Sequence, residues 1–191
     1  KNGLTSEQHI MDKSNCTGLV DSAVFEFLGG IDQVGASQPG KLLVAVQDSS
    51  DTFTFSGMSS SRVDDGSWHM ATAVYDGSRV RVYIDGIEEN SAALAGATLN
   101  LTTNPVIMGG GCASGYYWKG SIDEARIYSR ALSPNEIRRL YNMGATTKIN
   151  STPKHQLTNG LVGYWSFDGP DIAGNTAYDR SPGNANNGTL G

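Results

Sequence analysis

Residues 68–94 read WHMATAVYDGSRVRVYIDGIEENSAAL. Two Asp-Gly pairs, Asp76-Gly77 and Asp85-Gly86, divide this stretch into three short segments. Asp-Gly between alternating segments is a strong hairpin signal, because glycine takes a positive φ at no steric cost and aspartate tolerates one. Between the turns Val80, Val82 and Ile84 alternate with Arg79, Arg81, Tyr83 and Asp85. A period of two sends apolar side chains to one face and polar ones to the other. The stretch therefore predicts an antiparallel meander with one wet face.

Working outward, segments 24–28, 42–46 and 52–55 upstream, and 106–108 and 117–128 downstream, read as further strands separated by Gly, Ser, Asp and Pro clusters. One helix is signalled, with Ser133 as N-cap, Pro134 at the first helical position, Glu136 completing a capping box and Gly144 as the stop. Its apolar stripe of Ile137, Leu140 and Tyr141 covers a single face, which suits a helix lying on a sheet. Residues 145–159 are polar and without periodicity, as in a linker, and a new strand-like unit begins at Gly160 and runs to Gly191. The organisation expected is thus 1–144, a linker at 145–159, and a separate segment at 160–191.

Composition agrees with an all-β chain. Glycine is 24 of 191 residues and only 38% are hydrophobic, as in many short strands joined by turns. The formal net charge is −5 and the basic residues are scattered, so nothing forms a stripe to neutralise phosphates, which argues against nucleic acid as a partner. No run approaches the roughly 18 apolar residues of a membrane span. Cys16 and Cys112 are too few for a disulfide framework and wrongly spaced for zinc; they pair only if their loops meet, and otherwise stand as two thiols.

Three segments together, residues 68–77, 81–86 (RVYIDG) and 120–137 (GSIDEARIYSRALSPNEI), resemble the laminin-G-like jelly-roll domains of the concanavalin A-like lectin and glucanase superfamily. The resemblance covers residues 5–143 and implies an antiparallel β-sandwich with one short helix near its end. Segments 161–168 (LVGYWSFD) and 177–188 are similar to the opening strand and loop of such a domain, so the chain is out of phase with the family order. About 50 residues that the family places between that loop and the region of Gln8 have no counterpart. Leu161, Tyr164, Trp165 and Phe167 belong to a strand apolar on both faces, which must bury itself in some sheet. That sheet is its own sandwich or a neighbour's; because the missing strands leave no complete edge at home, self-association through residues 160–167, by strand addition to another copy, is the expectation preferred.

Chemistry is sparse. Glucanases of this fold class use carboxylates at alternate positions of a strand, and none of the glutamates opens such a Glu-x-Asp-x-Glu pattern. His9, His69 and His155 are isolated in sequence, and Gly109-Gly110-Gly111 lacks the ending of a phosphate loop. No enzyme activity is expected. Asp123 shares an alternating pattern with Ser121, Ala125 and Ile127, which places it inward, either as an acceptor of backbone N–H groups or as a ligand of structural calcium. Asp168, Asp179 and Asn184 lie in oxygen-rich loops, and the family habit of binding calcium makes them further metal candidates.

For sugars, the resemblance implies exposed aromatics that stack on pyranose faces. Tyr116, Tyr117 and Trp118 follow a glycine-rich loop, and three successive aromatics on a strand cannot all face inward. Either one of them is a stacking platform, or two fill the core and the third covers the loop. The function expected is a non-catalytic binding or adhesion module of an extracellular or cell-surface protein with tandem repeats, its partner a glycan or a surface protein. The alternative is a structural repeat assembled by strand addition.

Overall fold

The computed structural model describes residues 8–14, 25–31, 37–49, 52–94, 99, 103–111, 116–145, 157–183 and 186–191. Its strands are β1 (Gln8–Lys13), β2 (Phe25–Ile31), β3 (Ser37–Gln47), β4 (Phe53–Phe55), β5 (Ala71–Tyr75), β6 (Arg79–Ile84), β7 (Ile87–Ala93), β8 (Ile107–Met108) and β9 (Ala125–Tyr128), followed by helix α1 (Pro134–Ala145) and then β10 (Leu161–Trp165), β11 (Ile172–Ala173), β12 (Thr176–Ala177) and β13 (Gly188–Thr189). Pairing is antiparallel throughout the ladders, in the orders β4-β3-β2-β1-β8, β5-β6-β7, β10-β9 and β11-β12-β13.

The meander forms at the expected turns. Gly77 has φ 88°, and Asp85 and Gly86 have φ 52° and 81°, so each Asp-Gly supplies the left-handed backbone its turn requires. Val80, Val82 and Ile84 then point as one face against Leu42, Val44 and Val46 of β3, with Leu94 closing the cluster; all seven are buried. That contact is the core of the sandwich, and each fully buried aliphatic side chain in it contributes about 1.5–3 kcal/mol relative to exposure.

The opposite face of the meander is not wet along its length. Tyr83 is only 2% exposed, enclosed with Val74 by Leu132 and Ile137. The reason is tertiary: α1 lies across this face and inserts Ile137, as its amphipathic stripe dictates. Tyr83 keeps its polar end satisfied by donating its hydroxyl to Glu88 at 2.9 Å. The capping box is present, Ser133 N–H donating to Glu136 Oε2 at 2.8 Å and Glu136 N–H to Ser133 Oγ at 3.4 Å. Gly144 lies inside the helix, which ends one residue later than expected.

The outer edge of β3 beyond β4 is closed by side chains. Ser56 Oγ and Ser59 Oγ each accept at 3.0 Å from the main-chain N–H of Val44 and Leu42, while their own N–H groups donate to the carbonyls of the same two residues. Two serines thus replace a strand and leave no bare edge there.

The segment beginning at Gly160 returns to its own chain. In β10, Leu161 pairs with Tyr128, Gly163 with Ile127, Tyr164 with Arg126 and Trp165 with Ala125, so the expected docking of residues 160–167 on another copy is corrected to docking on β9. Residues joined by one covalent chain meet at far higher effective concentration than two molecules do, and the turn at Gly160 (φ 76°), closed by Leu161 N–H to Thr158 O at 3.0 Å, aims the strand back. Trp165 is buried against Ala125 and Ala177, with Met108, Ile127, Phe167 and Leu190 around them. The strand expected at 117–128 is shorter as well: its ladder starts at Ala125, because Glu124 has φ 55° and breaks the extended run.

Candidate functional site

The site is built where the chain leaves β8 and runs beside β1. Gly109, with φ 76°, turns the backbone so that its N–H donates to Ile10 O at 2.9 Å. After residues 112–115, which lie outside the described residues together with Cys16, the chain returns at Tyr116. His9 N–H donates to Tyr116 O at 3.0 Å, Trp118 N–H to Gly109 O at 3.1 Å, and Lys119 N–H to Gln8 Oε1 at 2.9 Å. A parallel bridge between His9 and Tyr117 completes the attachment. Pairing to β1 fixes this aromatic triplet although it belongs to no ladder of its own.

The three aromatics part company. Tyr116 stacks on the buried imidazole of His9, ring centroids 4.9 Å apart and planes 23° from parallel. That imidazole is held by Asp12, Nδ1 to Oδ2 at 3.1 Å, and Gly111 passes so close that a Cβ there would stand 2.7 Å from His9 Nδ1. Trp118 turns to the sandwich core, with its Nε1 buried and Gly120 pressed over it. Tyr117 alone is turned outward, 63% exposed, with its ring resting on Gly110, where a Cβ would lie 3.4 Å from Cδ1. The triplet thus contains one wall residue, one core residue and one exposed ring.

The residues expected to hold a metal are placed as follows. Asp123 is exposed and precedes β9, so its inward placement is corrected; the left-handed Glu124 ends the alternation on which that expectation rested. Its Oδ1 accepts Glu124 N–H at 2.9 Å, and partial burial, with the charges of Glu124 and Asp168 added, raises its carboxyl above the usual value. Asp168 is exposed, and Asn184 lies outside the described residues. Asp179 accepts from Tyr164 N–H, Ser181 N–H and Oγ, and Asn186 N–H at 2.8–3.2 Å. Burial works against its charge, but these donors outweigh it and hold the carboxyl below the usual range. Its oxygens are engaged in ordering a loop. Among the described residues no three of His, Cys, Asp and Glu gather as a metal set.

Two histidines isolated in sequence have carboxylate partners in space. Besides His9 with Asp12, His69 lies between Asp85 (Nδ1 to Oδ2, 2.8 Å) and Asp65 (Nε2 to Oδ1, 3.1 Å); His155 lies outside the described residues. Local sequence reading misses the bridge to Asp85 because the hairpin brings together residues sixteen apart. The strand face of β10 also gains a partner, since Tyr164 donates its hydroxyl to Glu124 at 2.9 Å while the Arg126 guanidinium lies 4.4 Å over its ring. Among the described helices none is long and apolar enough to cross a membrane.

Comparison with known proteins agrees with this architecture. A family profile of the concanavalin A-like lectin/glucanases superfamily matches residues 7–138. A crystal structure of a Bacteroides ovatus protein provisionally described as carbohydrate-binding superposes with a TM-score of 0.55 at 15% identity, covering 99% of this chain and 55% of that one. The chain therefore spans about half the length of that protein. An S-layer domain-containing protein from Clostridium thermocellum is 25% identical over 72% of this chain and 64% of its own, with a TM-score of 0.35. No curated protein sequence matches the chain. With the profile running from the start of β1 into α1, the chain belongs to the laminin-G-like family of the concanavalin A-like lectin/glucanases superfamily.

Proposed function

We propose that this chain is a non-catalytic carbohydrate-binding module of an extracellular or cell-surface protein, and that it stacks its glycan on Tyr117. The observation that carries this reading is the division of labour in the triplet: Tyr116 and Trp118 are committed to packing, and Tyr117, between them, is 63% exposed on a glycine support. A ring resting on Gly110, on main chain whose neighbours are anchored, offers an apolar surface with less freedom left to lose, which lowers the cost of binding. The fold shared with the Bacteroides ovatus protein, itself provisionally described as carbohydrate-binding, supports the same class of ligand. The filament alternative has no such support, because the strand it needs is paired with β9.

A glycan array of plant, bacterial and animal oligosaccharides tests the proposal. A saturable hit is expected, weakened roughly tenfold or more by Tyr117→Ala, the scale of one lost aromatic contact. Binding that survives Tyr117→Ala unchanged refutes the assignment to this ring, and silence across the array refutes the function.

A further inference from the structure

The most exposed aromatic of the described residues is not at that site. Trp68 is 69% exposed, on the segment that leads into β5, in the sheet across the core from β1. Single exposed apolar residues are common and need no explanation by themselves. What distinguishes Trp68 is the rigidity of its surroundings. On one side, Ser67 N–H donates to Asp65 Oδ1 at 2.8 Å. On the other, His69 is bonded through both ring nitrogens to Asp85 and Asp65. Met70 N–H donates to Asp85 Oδ1 at 2.9 Å, and Asp85 N–H returns a bond to Met70 O at 2.9 Å. The residues on either side of the indole are pinned to the β6–β7 turn and to the loop before it, while the indole itself stays in solvent.

The rim has a definite character. Asp65 is 53% exposed at its side chain, and Ser67 is exposed beside it. An exposed indole on a pinned main chain, with a carboxylate and a hydroxyl nearby in the chain at Asp65 and Ser67, suits a ligand that is apolar on one face and hydroxylated at its edge. A pyranose has that form: its C–H face lies on the ring and its hydroxyls reach acceptors at the periphery. The core of a protein interface, by contrast, is depleted of charge.

We propose that Trp68 is a second saccharide-stacking platform, separate from Tyr117 and pre-ordered by the Asp65–His69–Asp85 bridge. The choice of ligand class rests on the glycan reading above. Two platforms on one domain would give a polysaccharide long enough to reach both an avidity greater than either alone.

Indole N–H resonances test this on the intact chain. There are three tryptophans; Trp165, packed in the cluster around Ala125 and Ala177, serves as the internal reference, while Trp118, next to Tyr117, reports on the first site. Cellohexaose, xylohexaose, mannohexaose, laminarihexaose and chitohexaose are the probes. With at least one of them the Trp68 signal is expected to shift and saturate while Trp165 stays in place, and the Trp68 shift is expected to persist in Tyr117→Ala. Loss of residual binding in a Trp68→Ala, Tyr117→Ala double variant of unchanged thermal midpoint supports the proposal. Binding that requires Tyr117 but never moves Trp68 overturns it and leaves the first site standing. A Trp68 shift abolished by Tyr117→Ala overturns it by showing one site. A Trp68 signal that moves with protein concentration and not with sugar overturns it in favour of a contact between copies. Silence at both rings overturns both readings.

Discussion

Arg130 donates from Nε to the main-chain carbonyl of Asn159 at 2.9 Å and clasps Glu136 with Nη1 and Nη2 at 3.0 and 2.7 Å. One side chain thereby ties the N-terminus of α1 to the turn that starts β10. The same guanidinium, with the Ser133 cap, holds the Glu136 carboxyl down at about 2. Gly160 completes the fit, since a Cβ there would stand 2.9 Å from Arg130 Cγ. Arg130→Ala is expected to loosen the returning strand more than the sandwich: the amides of Gly163 and Trp165 should exchange roughly tenfold faster while those of Val80 and Val82 keep their protection, because strands open in local units. Uniform acceleration in both places would contradict this.

The two serines along β3 make a second test. Ser56 and Ser59 are each 1% exposed and accept from main-chain N–H groups that have no strand beside them. Alanine at either position leaves a buried donor unsatisfied, which costs about 1–3 kcal/mol. Threonine keeps the oxygen and is expected to recover part of the loss where its methyl fits. Urea denaturation of the four variants measures this, and alanine variants as stable as the parent would show that the edge does not depend on these bonds.

His69 makes stability depend on pH. Burial disfavours its charged form, but the hydrogen bonds to Asp85 and Asp65 prevail and raise its pKa above 6.5. A group whose folded pKa is raised stabilises the fold fully below its unfolded value and loses that contribution as pH rises through the folded one. Asp65 is shifted the other way, below 3.8, chiefly by the Ser67 N–H and the bond to His69, so its share is present above 3.8 and fades as acid protonates it. The bridge is therefore strongest between those two values. The difference in melting temperature between the parent and His69→Gln should be largest near about pH 5.5 and shrink by about pH 8.5. A constant difference across that range would mean that His69 acts by packing alone.

Sequence period made the meander and the capped helix legible, since both depend on neighbours within a few residues. Val80, Val82 and Ile84 are buried as their alternation requires, and Ser133 and Glu136 reciprocate across one turn. What could not be read locally depends on which distant element arrives. Tyr83 alternates as a wet residue and is dry because Ile137 lies on it. Asp123 alternates as an inward residue and is outward because the backbone at Glu124 takes φ 55°. At the site, the triplet announced that some ring must face solvent, but the choice of Tyr117 follows from His9 capturing Tyr116 and the core capturing Trp118. The destination of the Leu161–Trp165 strand was open between two partners; in this chain it pairs with β9, leaving the turn at Gly160 with Arg130 as its anchor.

The apolar contribution of that strand centres on Trp165, which is 8% exposed and donates from Nε1 to Asn186 O at 3.1 Å. Its ring lies back along its own strand over Gly163, where a Cβ would meet Cζ3 at 2.7 Å. The glycine is therefore required by the ring and not by backbone conformation. Trp165→Ala removes the largest side chain of this cluster and should cost about 3–5 kcal/mol. Gly163→Ala should also destabilise, by displacing the indole. The two substitutions are coupled: once the indole is gone the methyl at position 163 has room, so the double variant should be no less stable than Trp165→Ala alone. Thermal melting of the parent, both single variants and the double variant closes the cycle. Simple additivity would show that the indole of Trp165 does not lie over Gly163.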